Sequence, residues 1–180
     1  EIAVKAPVFS FAKLSDVEIA LGPEMKSTGE VMGKDFIFEK ALQKAFIAAG
    51  ISIPQSGTIL ATIADKDKEE TLQLFKRFYR IGFSFTATEG TAKLLQGINI
   101  PVKVVGRLGM SEHDIMAEIK SGNIDLIINT ISKSKNVESD GFKMRRAAVE
   151  RGIICMTSLD TAEALLKTLE MNSFVMEPLT

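Results

Sequence analysis

The sequence has little of several features that would restrict its function. It contains a single cysteine, Cys155, which excludes an internal disulfide and fits a reducing cytoplasm. No apolar run approaches the roughly 18 residues of a transmembrane helix, and the first residues show no secretory signal pattern. The net charge is −1, so no strong field attracts the chain to nucleic acid or to an anionic membrane. We therefore expect a cytoplasmic protein.

Residues that commonly carry out catalysis are also scarce. His113 is the only histidine, and no serine or cysteine motif for nucleophilic catalysis lies beside it. Cys155 lies within an apolar run, which is typical of inert packing. The spacings of zinc sites, EF-hand loops and P-loops do not occur in the sequence. We predict no catalytic residue and no metal site.

The sequence does contain enough apolar residues for a substantial core. Its 180 residues are 46% hydrophobic and 25% charged, which suits one domain with an additional segment. Because the chain does not begin with methionine, we interpret it as a fragment or a processed product. Residues 6–11 predict a short strand. Residues 21–33 contain three glycines and a proline without any period, which predicts a loop or linker.

Beyond residue 34 the hydrophobic pattern becomes regular. A helix is predicted over about residues 36–49, with Gly50 as its terminator. Five strand patterns, each followed by a helix pattern, come next. The predicted strands are 58–63, 83–87, 102–105, 125–129 and 153–156, and the predicted helices are about 67–81, 90–96, 113–121, 141–151 and 159–170. Because such an alternation implies parallel pairing, we predict a Rossmann-like three-layer α/β domain with a five-stranded, mainly parallel sheet.

A phosphate site is predicted where the second of these strands ends. Thr88 and Thr91 flank Gly90, and a helix pattern starts at once. Backbone N–H groups and the positive end of the helix dipole favour a phosphate at such a turn. Lys68 and Arg107 follow the first and third strands, and each could give the phosphate a charge-assisted hydrogen bond. Parallel strands place these residues at one edge of the sheet, where ligands bind.

Other polar residues follow the fourth strand. Asn129 could contact a sugar or the edge of a base. Lys133 and Lys135 come next, so a second phosphate could reach them. A simpler interpretation makes these two lysines a solvated loop and makes Lys143, Arg145 and Arg146 a solvated helix face. A simpler interpretation is also open for the phosphate turn: its threonines could serve as a helix cap and bind no phosphate.

Several segments resemble the large chain of carbamoyl phosphate synthase. Residues 21–33 resemble the junction segment that follows its second ATP-grasp half. The segments that resemble its C-terminal regulatory domain, which has a methylglyoxal-synthase-like fold, are residues 64–68, 87–91, 127–130 and 140–146. Residues 66–70 and 157–163 look most like the pyrimidine-specific enzymes of Gram-positive bacteria. The resemblance covers essentially the whole sequence.

The resemblance implies three parts and a regulatory function. Residues 1–33 would be the end of the second synthetase half with the junction, residues 34–50 a connecting helix, and residues 51–180 the allosteric domain. In that family the large chain makes carbamoyl phosphate from bicarbonate, ammonia and ATP for pyrimidine and arginine biosynthesis. A glutaminase small chain supplies the ammonia. ATP and Mg²⁺ or Mn²⁺ bind upstream, so this segment is expected to be non-catalytic and to hold no cofactor.

The family's C-terminal domain binds nucleotide effectors. UMP is the usual inhibitor, and phosphoribosyl pyrophosphate, or ornithine and IMP, are activators. By resemblance, the phosphate positions fall on Lys68, Thr88 and Thr91, with Thr62 close by. Arg107 stands where the family has a lysine, which keeps the charge and changes the geometry.

The resemblance also implies contacts beyond the phosphate. Asn129 and Thr130 match the positions beside the sugar and the base, and Ile131 replaces the next threonine of the family. Thr157 falls where some members contact a second effector, and Lys133 is our other candidate for such a site. The effector and the synthetase half of the same chain are the expected partners. Whether the chain forms a homo-oligomer is left open.

Two alternatives remain. Methylglyoxal synthase has the same fold and phosphate turn, but its reaction needs a carboxylate base, which that family places in a Gly-Gly-Asp run. Residues 106–114 lack this run. The other alternative is a docking domain that binds no ligand and whose polar edge is merely solvated.

Overall fold

The structure is a computed structural model, and it describes residues 1–9, 27–109, 114–130 and 140–173. The chain divides into two compact units. One comprises Glu1–Gln55 together with the chain from Ala164 onward, and the other comprises Ser56–Glu163. The division into a synthetase end, a connecting helix and an allosteric domain stays a prediction.

The first unit contains a two-stranded antiparallel sheet. Strand β1 (Ile2–Phe9) pairs with strand β2 (Ser27–Asp35), and the register runs from Ile2 opposite Asp35 to Val8 opposite Gly29. The prediction of a loop is therefore wrong for residues 27–33, and residues 21–26 lie outside the described residues. Pairing with β1 gives the backbone of β2 its hydrogen bonds, so the strand forms despite glycines that lower its local propensity.

Helix α1 (Phe38–Ala48) lies against β2 and follows it directly. The Asp35 carboxylate accepts hydrogen bonds from the Lys44 ammonium at 2.8 Å and from the Ile37 N–H at 3.2 Å. Both bonds hold the pKa of Asp35 below its usual value, and the bond from Lys44 has the larger effect. The helix ends before Gly50, whose φ of 74° confirms the predicted terminator. Phe38, the first residue of the helix, is 42% exposed.

The second unit is built on a parallel sheet. Its strands are β3 (Gly57–Thr62), β4 (Phe83–Thr88), β5 (Val102–Val105), β6 (Leu126–Asn129) and β7 (Ile154–Met156). The helices that follow them are α2 (Lys68–Arg80), α3 (Glu89–Gln96), α4 (Ile115–Ser121), α5 (Asp140–Glu150) and α6 (Leu159–Ser173), of which α6 continues past Glu163 into the part of the chain assigned to the first unit. The strand order is β5-β4-β3-β6-β7, and every neighbouring pair is parallel. The prediction of an α/β domain with a five-stranded parallel sheet is confirmed.

Helices cover both faces of this sheet. On one face, the ring of Phe75 in α2 lies 5.0 Å from the ring of Phe85 in β4. On the other face, Ile119 of α4 and Met144 of α5 belong to the same buried cluster as Leu60 of β3. Apolar residues therefore line the sheet on both sides, as expected for a parallel sheet between two layers of helices.

The order of the strands determines where polar residues can meet. The chain adds β4 and β5 on one side of β3 and then returns to add β6 and β7 on the other side. The crossovers therefore leave β3 and β6 in opposite directions. In open parallel sheets this switch point opens a crevice beyond the carboxyl ends of the two strands, where ligands commonly bind.

Candidate functional site

Three of the predicted residues meet at the switch point. Thr62 and Asn129 end β3 and β6 and lie opposite each other in the register. The Asn129 side-chain amide donates a hydrogen bond to the Thr62 hydroxyl at 2.6 Å. The Thr130 N–H donates to the carbonyl oxygen of Thr62 at 3.1 Å, and the Thr130 hydroxyl accepts from the Ala64 N–H at 2.8 Å. The ends of the two strands are thus held together by a polar network.

Arg145 joins this network, and its interpretation as part of a solvated helix face is wrong. It is only 5% exposed, and its guanidinium donates a hydrogen bond to the Asn129 side-chain oxygen at 2.8 Å. Gly141, one turn earlier in α5, leaves space for it, since a Cβ there would lie 2.9 Å from the guanidinium. Lys143 is exposed, in agreement with its interpretation. We call Thr62, Asn129, Thr130 and Arg145 the switch-point cluster.

A second group of predicted residues meets at the start of α3. Thr88 has an extended backbone and precedes the helix, and among the described residues its hydroxyl caps no N–H group of α3. Thr91 is 2% exposed, and its hydroxyl accepts a hydrogen bond from the Ile63 N–H at 3.1 Å. A Cβ on Gly90 would lie 3.6 Å from the Lys68 ammonium. The structure thus places this ammonium at the turn that contains both threonines.

Arg107 is exposed, and its charge acts on the same region. The hydrogen bond from Lys68 is the main cause that lowers the pKa of Asp65, and the charges of Lys68 and Arg107 add to it. Lys93 is the main cause that lowers the pKa of Glu89, and Arg107 makes a smaller contribution. Arg107 therefore lies within electrostatic reach of both carboxylates. We call Lys68, Thr88, Thr91 and Arg107 the turn cluster.

The two clusters end neighbouring strands, because β3 and β4 pair as far as Ala61 opposite Ala87. Thr157 is further away in the sheet, since it follows β7, which is separated from β3 by β6. Lys133 and Ile131 lie outside the described residues, as does His113. The proposed second effector site therefore has only Thr157 in the described part of the chain.

Sequence reasoning missed two residues of this region, Arg145 and Asp65. The signal for Arg145 was its position beside the apolar stripe of α5, directly after Met144. The signal for Asp65 was its spacing of three residues from Lys68, which suits an ion pair on a helical turn. Neither signal specifies a partner, because both also occur on ordinary solvated helices.

A cleft of about 460 Å³ lies elsewhere in this unit, near the amino ends of β3 and β4. It is lined in part by Thr58, Ser84 and Thr86 and by the ion pair between Lys103 and Glu118. The Lys103 ammonium lies 2.8 Å from each carboxylate oxygen of Glu118, so the two charges largely cancel. None of the predicted site residues lines this cleft. The cleft and the predicted phosphate site therefore lie at different places in this unit. We favour the carboxyl edge, because the residues of the switch-point cluster and the turn cluster follow neighbouring strands there.

Within the described ranges, no three His, Cys, Asp or Glu side chains are grouped so that they could hold a metal ion. None of the helices in those ranges is long and apolar enough to cross a membrane.

Comparison with known proteins gives two results. Residues 70–157 match the family model described as the MGS-like domain. A solved structure described as "Crystal structure of ForH" is 21% identical, over 65% of this chain and 81% of that chain, with a TM-score of 0.45. An MGS-like domain is thus found in the chain, and it contains most of the turn cluster and the switch-point cluster.

Proposed function

From the MGS-like domain at residues 70–157, we propose that the chain is an effector-binding regulatory domain whose ligand is a nucleotide. Its dianionic phosphate binds the turn cluster. One observation carries this proposal: the Lys68 ammonium lies at the first turn of α3, beside Thr88 and Thr91. A cation, the N–H groups of the first turn and a threonine hydroxyl at the start of an eight-residue helix match the needs of a phosphate.

The switch-point cluster would hold the rest of the nucleotide. Asn129 uses its side-chain oxygen to accept from Arg145 and one amide N–H to donate to Thr62. An amide carries two N–H groups, and the described residues bind only one of those of Asn129, so we assign the other as a donor to a hydroxyl of the sugar or an oxygen of the base. The bond from Arg145 defines which side of the amide presents this donor. The cluster is therefore suited to the sugar or the base of a nucleotide, and the resemblance to carbamoyl phosphate synthase leads us to propose UMP as the ligand.

The resemblance to carbamoyl phosphate synthase supplies the proposed context. In this proposal the parent large chain is a glutamine-hydrolysing, ATP-dependent ligase of pyrimidine and arginine biosynthesis, with a glutaminase small chain as partner. UMP would inhibit it by binding one state of the synthetase half more tightly than the other, and such couplings are typically about 1–3 kcal/mol. Phosphoribosyl pyrophosphate, or ornithine and IMP, would activate it. The parent would bind ATP and Mg²⁺ or Mn²⁺ upstream of this segment.

Isothermal titration of the chain with UMP tests the proposal. With two cationic contacts and the cost of ordering the ligand, we expect a Kd in the micromolar to millimolar range, roughly 10⁻⁶ to 10⁻³ M. Uridine, which lacks the phosphate, is the matched control and should bind at least about tenfold more weakly. If no nucleotide of a panel binds or raises the melting temperature, the docking alternative is favoured.

An enzymatic assay addresses the other alternative. The chain is incubated with dihydroxyacetone phosphate, and methylglyoxal and phosphate are measured. We expect no turnover, because residues 106–114 lack the Gly-Gly-Asp run that supplies the base in methylglyoxal synthases. Turnover at an enzymatic rate would reject a purely regulatory domain.

Substituting valine for Thr88 is expected to weaken UMP binding at least about tenfold, since a hydrogen bond to a charged group contributes roughly 1.5–3 kcal/mol. Stability should change little, because the Thr88 hydroxyl caps no N–H group of α3 among the described residues. Thr58→Val is the matched control, since the Thr58 hydroxyl lies near the amino end of β3, 3.0 Å from that of Ser84. Equal affinities of the two variants would remove Thr88 from the site.

A further inference from the structure

The Asp65 carboxylate is bound to the cation that the turn cluster would offer to a phosphate. One of its oxygens lies 2.6 Å from the Lys68 ammonium. Asp65 belongs to the short 3-10 turn Asp65–Asp67 that links β3 to α2, so the same turn brings both charges to the carboxyl edge. The side chain of Asp65 is 93% exposed and that of Lys68 is 31% exposed. The pair is therefore formed at the open side of the cluster.

Charges of both signs surround this pair. Lys68 and Arg107 are the cations, and Asp65 and Glu89 are the carboxylates on which the charge of Arg107 acts. Glu89 has its own partner, the Lys93 ammonium at 2.8 Å, and this pair lies along α3. Asp65 thus differs from Glu89 in one respect that matters here: only Asp65 binds the ammonium that lies at the threonine turn.

We propose that Asp65 is an internal competitor for the anion site and lowers its affinity. This inference rests on the proposed function. A phosphate that binds Lys68 must first separate it from Asp65, so the free energy of that ion pair is subtracted from the binding free energy. The cost is the same for every anion that uses Lys68, and it is absent for a ligand without a charged group. Asp65 would thereby keep the site responsive at metabolite concentrations rather than saturated.

The opposite role for Asp65 gives the opposite result. If its carboxylate served to hold Lys68 in position for the phosphate, removing the charge would loosen the ammonium and weaken binding. The sign of the change in UMP affinity therefore separates competition from positioning. This comparison uses isosteric variants, because Asp and Asn have the same shape.

The test is titration of UMP into the chain, into Asp65→Asn and into Glu89→Gln. Competition predicts that Asp65→Asn binds UMP about threefold more tightly, as expected for the loss of a largely exposed ion pair. Glu89→Gln makes the same change in net charge and should have a clearly smaller effect. Uridine affinity should be unchanged by Asp65→Asn. Thermal unfolding of each variant verifies that it is folded.

A double-mutant cycle with Lys68→Ala adds a second criterion. In the Lys68→Ala background, Asp65→Asn should not raise the affinity for UMP, because the cation for which Asp65 and the phosphate compete is absent. Equal gains in Asp65→Asn and Glu89→Gln would reduce the effect to net charge and overturn the inference. Unchanged or weaker binding by Asp65→Asn would also overturn it. If the unsubstituted chain does not bind UMP at all, the proposed function fails first, which is a distinguishable result.

Discussion

Replacing Lys68 with alanine is expected to lower the affinity of the chain for UMP strongly. The ammonium lies at the turn of Thr88 and Thr91, where a phosphate would also receive the N–H groups at the start of α3. A charge-assisted hydrogen bond contributes about 1.5–3 kcal/mol, so binding should weaken about 10- to 150-fold. Isothermal titration with UMP measures this change.

Lys66→Ala is the matched control for this experiment. Lys66 has the same charge, lies two residues away and is 60% exposed, and its ammonium lies 3.6 Å from Asp67 rather than at the threonine turn. We expect its affinity for UMP to remain close to that of the unsubstituted chain. Both variants should unfold at similar temperatures, because exposed ion pairs contribute little to stability. An unchanged affinity of Lys68→Ala would reject the phosphate assignment.

Replacing Gly33 with alanine is expected to destabilise the first unit strongly. A Cβ at this position would overlap the carbonyl oxygen of Ala41 and the amide nitrogen of Ala45, both in the backbone of α1. A side chain could move away, but a helix backbone can move only by separating α1 from β2. We expect a loss near the upper end of the roughly 1–3 kcal/mol that overpacking costs.

Gly29→Ala in the same strand is the matched control. No heavy atom lies within 4 Å of the position that its Cβ would occupy, and Gly29 pairs with Val8 of β1. Its stability should equal or slightly exceed that of the unsubstituted chain, since alanine has fewer unfolded conformations to lose. Urea unfolding followed by circular dichroism compares the midpoints. If both variants have the same midpoint, the close packing of α1 on β2 at Gly33 is wrong.

The secondary structure of the second unit could be predicted because its signals are local. In β4, Phe83 and Phe85 alternate with Ser84 and Thr86, and such alternation is a property of neighbouring residues alone. β5 has the predicted bounds, Val102–Val105. Glycines with positive φ follow several helices, as Gly82 and Gly122 show. The parallel pairing then followed from the regular alternation of strands and helices.

Predictions failed where a residue's environment depends on distant parts of the chain. β2 exists because its backbone pairs with β1, whose partner residues lie 18 to 33 positions earlier in the sequence, and no local period indicates that pairing. Arg145 carries a charge, which is typical of a surface residue. It is nevertheless buried, because Asn129 at the end of β6 accepts its hydrogen bond and Gly141 leaves space for its guanidinium. In both cases the deciding contact is long-range.

The amino-acid sequence by itself determined which segments become strands and helices in the second unit, because periodicity and helix termini are encoded within a few residues. It also determined which polar side chains follow each strand. Only the tertiary structure decided that β3 is central and that Thr62 and Asn129 meet across the switch point. Only it showed that the Lys68 ammonium is bound by Asp65. The reason is that strand order and side-chain pairing depend on the packing energy of the whole domain, which arises from contacts between distant segments and cannot be deduced from any one of them.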